Sequence, residues 1–442
     1  MKLMVPQKRM LTSALELDAI RTDRFKTETL SVTVTVPVDK HLTPLYVFAL
    51  SILKRGTVQY PSQGALNRRL DDLYATGISL KVDRFGSNCL LGFGADMLGR
   101  EYTDGEIDVF DGTLDVILQM LFHPLMDEDG MFLSKYVESE RENLCDIIES
   151  QVNNPRSYAS RRCREIMFDG DDYGVDLLGE VEQIRAITAE QLRDAYLDLI
   201  QNHRFRVFYV GSKSVDELEE RLTRRLVPYI LSGTKVSPKD TVCDGNVSCC
   251  RHIEEHMELT QGKLVIGFRT GIHVSHNDLY AMMVCNEIFG GSAVSKLFMN
   301  VREKMSLCYY CSSSYHIHKG VIFASAGVAP EDREVAENEI LHQLEEIRLG
   351  HVSEDEFKAA IRSLINNYRA ISDLPSTLES YYVGRDLFGV NCTVEECMAH
   401  IARVTMEDVL RVSRQILPDT VYFLYGDMTE EGEEGDDFGD EA

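Results

Sequence analysis

From Leu42 to Thr57 the chain reads LTPLYVFALSILKRGT, with apolar positions recurring at three- and four-residue steps. Leu42, Leu45, Phe48, Ala49, Ile52 and Leu53 predict a helix with a wide apolar face. Tyr46, Val47, Leu50 and Ser51 fill its flanks, so burial on most sides is expected. Arg55-Gly56-Thr57 is expected to end it, with a cation in the last turn and a glycine just past it. Between Leu42 and Leu53 there is no charged residue and no histidine. The helix at the centre of the pattern carries no visible chemistry.

Before it, Lys26 to Val38 alternates β-branched and polar residues and predicts a strand. After it, Pro61-Ser62 opens a second helix whose Leu66, Leu70, Leu73 and Tyr74 share a face, closed by Gly77. Ile78, Leu80 and Val82 alternate in a strand, with Cys89 to Ala95 as its hairpin partner. Helices are expected at about 107–122, 128–151, 157–167, 180–187 and 189–200, then a strand at 205–210. Residues 229–246, with Gly233, Pro238 and Gly245, read as a linker. Beyond it the order returns. Strands at 253–259 and 264–268 precede helices at 278–289 and 294–304, with Gly290-Gly291 as a cap. Strands at 308–316 and 321–328 precede helices at about 331–348, 354–372, 376–387 and 393–401.

The two halves close alike. Thr188 opens a helix leading to Val207-Phe208-Tyr209-Val210-Gly211, and Thr405 opens one leading to Tyr422-Phe423-Leu424-Tyr425-Gly426. The threonines are 217 positions apart and the glycines 215. A cap, helix and strand repeated at nearly constant offset predict a duplicated α+β domain. Each copy is expected to be an α/β roll, an antiparallel sheet with helices mainly on one face. The expected boundaries are 1–228, a linker at 229–250, 251–428, and a tail at 429–442.

Composition narrows the functional classes. At 442 residues and 44% apolar composition the chain can bury a large core. A formal charge of −26 argues against electrostatic nucleic-acid binding, which needs basic surface to displace counterions. Eight of the last fourteen residues are acidic, so that tail is expected to be disordered. No window approaches eighteen uncharged apolar residues, so no membrane span is expected. The N-terminus lacks the long apolar core and cleavage-like site of a signal peptide. Eleven scattered cysteines suggest reduced thiols and a cytoplasmic protein.

The order of elements, the duplication and several local matches resemble the insulinase and mitochondrial-processing-peptidase family of zinc metallopeptidases. The matches are Arg55-Gly56-Thr57, and Gly290-Gly291 with Leu297-Phe298 leading into Val301-Arg302-Glu303-Lys304 and Leu307-Cys308-Tyr309. The segments YPSQGALNRRLDDLYATGISLKVD and ERENLCDIIESQVNNPRSYASRRCREIMF look most like its YfmF-type non-peptidase branch. The resemblance implies the processing-peptidase fold, shared with LuxS, and a pairing with an active zinc-bearing sister. In active relatives the opening helix carries H-x-x-E-H, two zinc-binding imidazoles one turn apart with a glutamate base. Sliding back from Gly56-Thr57 puts those positions at Val47, Leu50 and Ser51, none of which can ligate zinc or accept a proton. The more distant glutamate ligand falls at Ile147. Glu149, two residues on, would face elsewhere as a surface charge. The implied protein is an inactive homologue with no catalytic or metal-binding residue and no cofactor. It would form half of a peptide chamber with a zinc-bearing partner.

Other candidates compete with that reading. His252-Ile253-Glu254-Glu255-His256 is literally H-x-x-E-H and would suit an active zinc peptidase if helical. Its neighbourhood alternates like a half-exposed strand, where positions four apart lie about 13 Å apart. Cys243, Cys249, Cys250 and His252 fit no common zinc module. Cys308-x-x-Cys311 lies in a predicted strand rather than at a helix N-terminus, which argues against a redox role. On residue types alone, Arg302 would make a surface ion pair and Tyr309 would fill a strand face. The resemblance implies instead that both contact substrate peptide, a guanidinium for a carbonyl or carboxylate and a phenol for a developing oxyanion. A peptide-binding or scaffolding homodimer without a zinc-bearing partner is the remaining alternative.

Overall fold

In the computed structural model, residues 4–230, 239 and 245–426 are described. The acidic tail at 429–442, Cys243 and most of the linker lie outside them.

Two sheets organise the chain. The first contains β1 (Gln7–Thr12), β2 (Leu15–Arg21), β3 (Thr27–Pro37), β4 (Gly77–Phe85), β5 (Asn88–Leu98) and β6 (Phe205–Gly211), in the order β1-β2-β6-β3-β5-β4. The second contains β7 (Arg251–His256), β8 (Gly262–Arg269), β9 (Cys308–His316), β10 (Val321–Val328) and β11 (Leu417–Tyr425), ordered β7-β11-β8-β10-β9. Apart from β1 the two orders are the same, element for element. Each sheet is antiparallel except for one pair, β2 with β6 and β7 with β11, where the closing strand returns beside the opening one. The closing helices Ala189–Asn202 and Met406–Ser413 both start on a reciprocal threonine cap, Thr188 with Gln191 and Thr405 with Asp408.

The opening helix runs Leu42–Leu53, and ten of its twelve residues are buried. Asp39 caps it, its carboxylate accepting from the backbone N–H of His41 at 2.8 Å and Leu42 at 2.9 Å. Arg55 lies past its end rather than in its last turn, and Gly56 follows just beyond it as expected. A Cβ on Gly56 would sit 3.1 Å from the backbone of Pro61 and Ser62, so the glycine serves the tight return of the chain. The second helix, Gln63–Asp72, is ended by Tyr74 and Ala75 in the left-handed region (φ 58° and 57°), while Gly77 already begins β4. The long helix starts at Ser134, later than its periodicity suggested. Ahead of it Asp127 folds a turn, its carboxylate accepting from the N–H of Asp129 and Met131. Gly290-Gly291 is no cap with positive φ. A Cβ on Gly290 would lie 2.6 Å from the Ser313 nitrogen, so the glycine lets a π-helical turn (Glu287–Gly291) press against β9.

The halves interlock by exchanging helices. Pro155–Met167, from the first half, lays Ala159, Cys163 and Met167 on Val265, Phe323, Tyr422 and Leu424 of the second sheet. Pro375–Asp386, from the second half, lays Leu378, Tyr382 and Val383 against Phe85, Leu90, Phe208 and Val210 of the first. Each sheet therefore has its own helices on one face and a borrowed helix on the other. Buried ion pairs fix both dockings. Glu379 accepts from Ser31 and Lys81, each at 2.5 Å. Asp419 accepts from Arg251 at 2.9 Å and Arg269 at 2.6 Å, and both arginines also reach the Met167 carbonyl. Among the described residues no helix is long and apolar enough to cross a membrane.

Candidate functional site

Val47 and Leu50 are 2% and 0% exposed and belong to the apolar core under the first sheet. The Ser51 hydroxyl donates to the Val47 carbonyl at 2.9 Å, a bond internal to the helix. Ser51 also lines a cleft of about 490 Å³ with Lys54, Arg55, Gln63, Leu80, Glu140, Asn143, Asp146 and Ile147. Glu140, Asn143 and Ile147 project together because steps of three and four residues return to one helix face. The structure thus brings Ser51 and Ile147, 96 positions apart in sequence, to one cleft. Ile147 is 50% exposed there. Glu149 points elsewhere and pairs with Arg185 at 3.1 Å on the surface.

Zinc does not fit this site. The position that would supply one imidazole is an apolar core residue, and so is the position of the base. The position expected for the third ligand, Ile147, carries an alkyl group. Of the two carboxylates that the long helix brings to the cleft, Glu140 and Asp146, Glu140 is neutralised by an ion pair with Arg55. Among the described residues no group of three or more histidine, cysteine, aspartate or glutamate side chains could hold a metal ion.

The rival motif is dismantled by its backbone. His252 and His256 lie on β7, where alternation turns both away from Glu255. His252 meets Glu337 at 2.8 Å, and His256 packs edge-on to Tyr425. Glu255 accepts from Tyr158 at 2.5 Å, Tyr422 at 2.9 Å and Arg162 at 3.2 Å. Burial acts to raise its pKa, but these three bonds outweigh it and hold the carboxyl below its ordinary range. Such a group anchors the borrowed helix and is a poor base. The alternative of an active peptidase built on His252, Glu255 and His256 is therefore corrected. Cys249 and Cys250 are free thiols beside that strand.

Arg302 stands on a π-helical segment, Leu297–Lys304, with its guanidinium over the Phe298 ring at 4.5 Å and Glu303 at 3.5 Å. Tyr309 is 73% exposed on β9, the edge strand of the second sheet. Arg302 lies close enough to act on the thiol of Cys308, the neighbour of Tyr309. Arg156, just beyond the cleft helix, stacks on Tyr310 at 4.1 Å and reaches Ser312 at 3.4 Å. That pair of contacts ties β9 to the half that carries the cleft. The arginine's reach across 156 positions has no sequence signal.

The family profile described as "Peptidase M16 inactive domain" matches residues 186–364. The chain is 28% identical over 416 residues to "Probable inactive metalloprotease YmfF" of Bacillus subtilis strain 168, covering 92% of this chain and 95% of that one. It is 21% identical to "Uncharacterized zinc protease YmxG" of the same organism, covering 81% and 87%. Among solved structures, a conserved protein from Enterococcus faecalis V583 superposes with a TM-score of 0.87 at 25% identity, covering 96% of this chain and all of that one. The peptidase M16 inactive domain from Pseudomonas fluorescens does so at 0.76 and 14% identity, covering 97% and 100%. With its fold duplicated in this way and valine, serine and isoleucine at the positions expected for the ligands, the chain is similar to inactive members of the M16 peptidase family.

Proposed function

We propose that this inactive homologue is the non-catalytic half of a peptide-binding chamber whose other half is a zinc-bearing M16 subunit. The observation that carries the reading is the contrast within one site. Val47 and Leu50 have merged into the core, yet the cleft between Ser51 and Ile147 stays open and lined by polar groups. A site that was only decaying would be expected to close, since an empty cleft forfeits packing. Arg302 and Tyr309 are proposed to contact the peptide, Arg302 as a fork for a carbonyl or carboxylate and Tyr309 as a phenol donor. The exposure of Tyr309 on an unpaired sheet edge supports that role. We place the protein in the cytoplasm, a reading supported by ten described cysteines that are all free thiols.

The test is peptide turnover by a reconstituted pair, with assembly checked separately by size-exclusion chromatography. Arg302→Ala or Tyr309→Phe is expected to lower turnover by roughly 10²–10³ while assembly is unchanged. Arg302→Lys rescues poorly, because a point charge does not reproduce the planar fork. If both variants assemble and turn over peptide like the unaltered pair, the two residues are structural and the chain is a scaffold.

A further inference from the structure

Cys308 and Cys311 lie three positions apart on β9, a separation that in a regular strand places side chains on opposite faces and α-carbons about 10 Å apart. The strand is not regular there. Cys311 pairs with Ala326 of β10 and Cys308 with Val328, so three steps on β9 face two on β10. This is a β-bulge at Tyr309-Tyr310, and it rotates the two cysteines onto one face. Their partners are two residues apart, about 6.7 Å of strand, so the cysteine α-carbons come to about the same spacing. That value falls at the outer edge of the 4.4–6.8 Å range that disulfides span. Cys311 is buried in the second core and Cys308 packs half-buried against it. The neighbouring Cys311 thiol, with Arg302 adding to it, holds the Cys308 thiol below its ordinary pKa range, against the effect of burial. Cys311 is raised by the Cys308 thiol beside it and by burial.

We propose that Cys308 and Cys311 form a reversible dithiol–disulfide site that reacts with small-molecule disulfides. The Cys308 thiolate attacks one sulfur of the small disulfide, whose S–S bond breaks and releases one thiol. A mixed disulfide on Cys308 results. Cys311 then loses its proton to solvent and attacks the Cys308 sulfur, releasing the second small thiol. Two electrons pass from the protein dithiol to the small disulfide, and two thiols leave. Closing the bond tightens the bulge whose tip is Tyr309, so the redox state sets how that phenol is presented. The inference stands on the strand geometry and does not depend on the proposed peptide chamber.

The experiment treats the full chain with glutathione disulfide, blocks remaining thiols with N-ethylmaleimide, and reads the tryptic peptide Met305–Lys319, which contains both cysteines. The expected peptide carries no alkyl group and is lighter by its two thiol hydrogens, and dithiothreitol before alkylation restores double labelling. In Cys311→Ser the same peptide is expected to hold one glutathione on Cys308, because the resolving thiol is gone. In Cys308→Ser, Cys311 is expected to stay free of glutathione. A doubly alkylated peptide from the oxidant-treated unaltered chain, or a stable glutathione adduct on its Cys308, would overturn the proposal. That reading needs no variant to fold.

Discussion

Leu50 occupies the position of a catalytic base and is wholly buried. Installing His at 47, Glu at 50 and His at 51 would place three polar groups on a helix that packs against core. Each unsatisfied group costs about 1–3 kcal/mol, so a loss of several kcal/mol is expected, with no zinc bound and no activity recovered. Thermal melting and metal content check it, and a stable, active triple variant would show that the site was misplaced. Another residue titrates unusually. Asp18 is 3% exposed, and burial pushes its pKa up to about 6 despite the Arg206 guanidinium 3.0 Å away. Between its unfolded pKa of roughly 4 and about 6, the native state binds a proton that the unfolded chain has released. Its contribution is thus fully present below pH 4 and is lost as pH rises through 6, an effect of about 3 kcal/mol. The melting temperature of the unaltered chain relative to Asp18→Asn should fall as pH is raised from 4 to 7. A pH-independent difference would refute it. The empty ligand positions were legible in sequence because Gly56-Thr57 fixes the register. The Arg55–Glu140 pair and the burial of Asp18 were not, since both arise between segments far apart in the chain.

At the scale of elements, alternation marked β3, β4 and β7, strand-like runs marked β5, β6, β8, β9 and β10, the repeat marked β11, and helical periodicity found the long helices. Boundaries moved where a turn had its own chemistry, as at Asp127 and at Tyr74-Ala75. The β1–β2 hairpin went unread because β1, QKRMLT, is an exposed edge without apolar alternation. The helix Val215–Arg225 was also missed, although Ser214 caps it and Leu218 and Leu222 are buried on one face. The two π-helical segments had no signal, since a single inserted residue leaves the apolar spacing almost unchanged. Gly290 tests the close approach at the first of them. Gly290→Ala would drive a methyl group to 2.6 Å from the Ser313 nitrogen, where backbone must move. A loss of about 1–3 kcal/mol in denaturant unfolding is expected. Unchanged stability would mean that the turn and β9 are not in that contact.

For the whole molecule, duplication was visible in the matched closing segments, but the exchange of helices between halves was not. Pro155–Met167 buries only Ala159, Cys163 and Met167, one face at four-residue steps, which a periodicity argument assigns to the nearest sheet in sequence. The interlock predicts that the halves unfold together. Hydrogen-exchange mass spectrometry in increasing denaturant should give one midpoint for peptides of β3 and β6 and for those of β8 and β11. Leu378→Asp, a charge forced into the borrowed-helix contact, should lower both midpoints together. A drop confined to the first sheet would show two independent bodies. The same architecture frames the functional proposal, in which this chain would supply half of a shell and a zinc-bearing chain the chemistry. The zinc content of the purified, dialysed chain tests that most directly. Far less than one zinc per chain is expected, with no peptide cleavage on adding zinc. One tightly held zinc per chain, with chelator-sensitive cleavage abolished by Glu255→Gln, would contradict it.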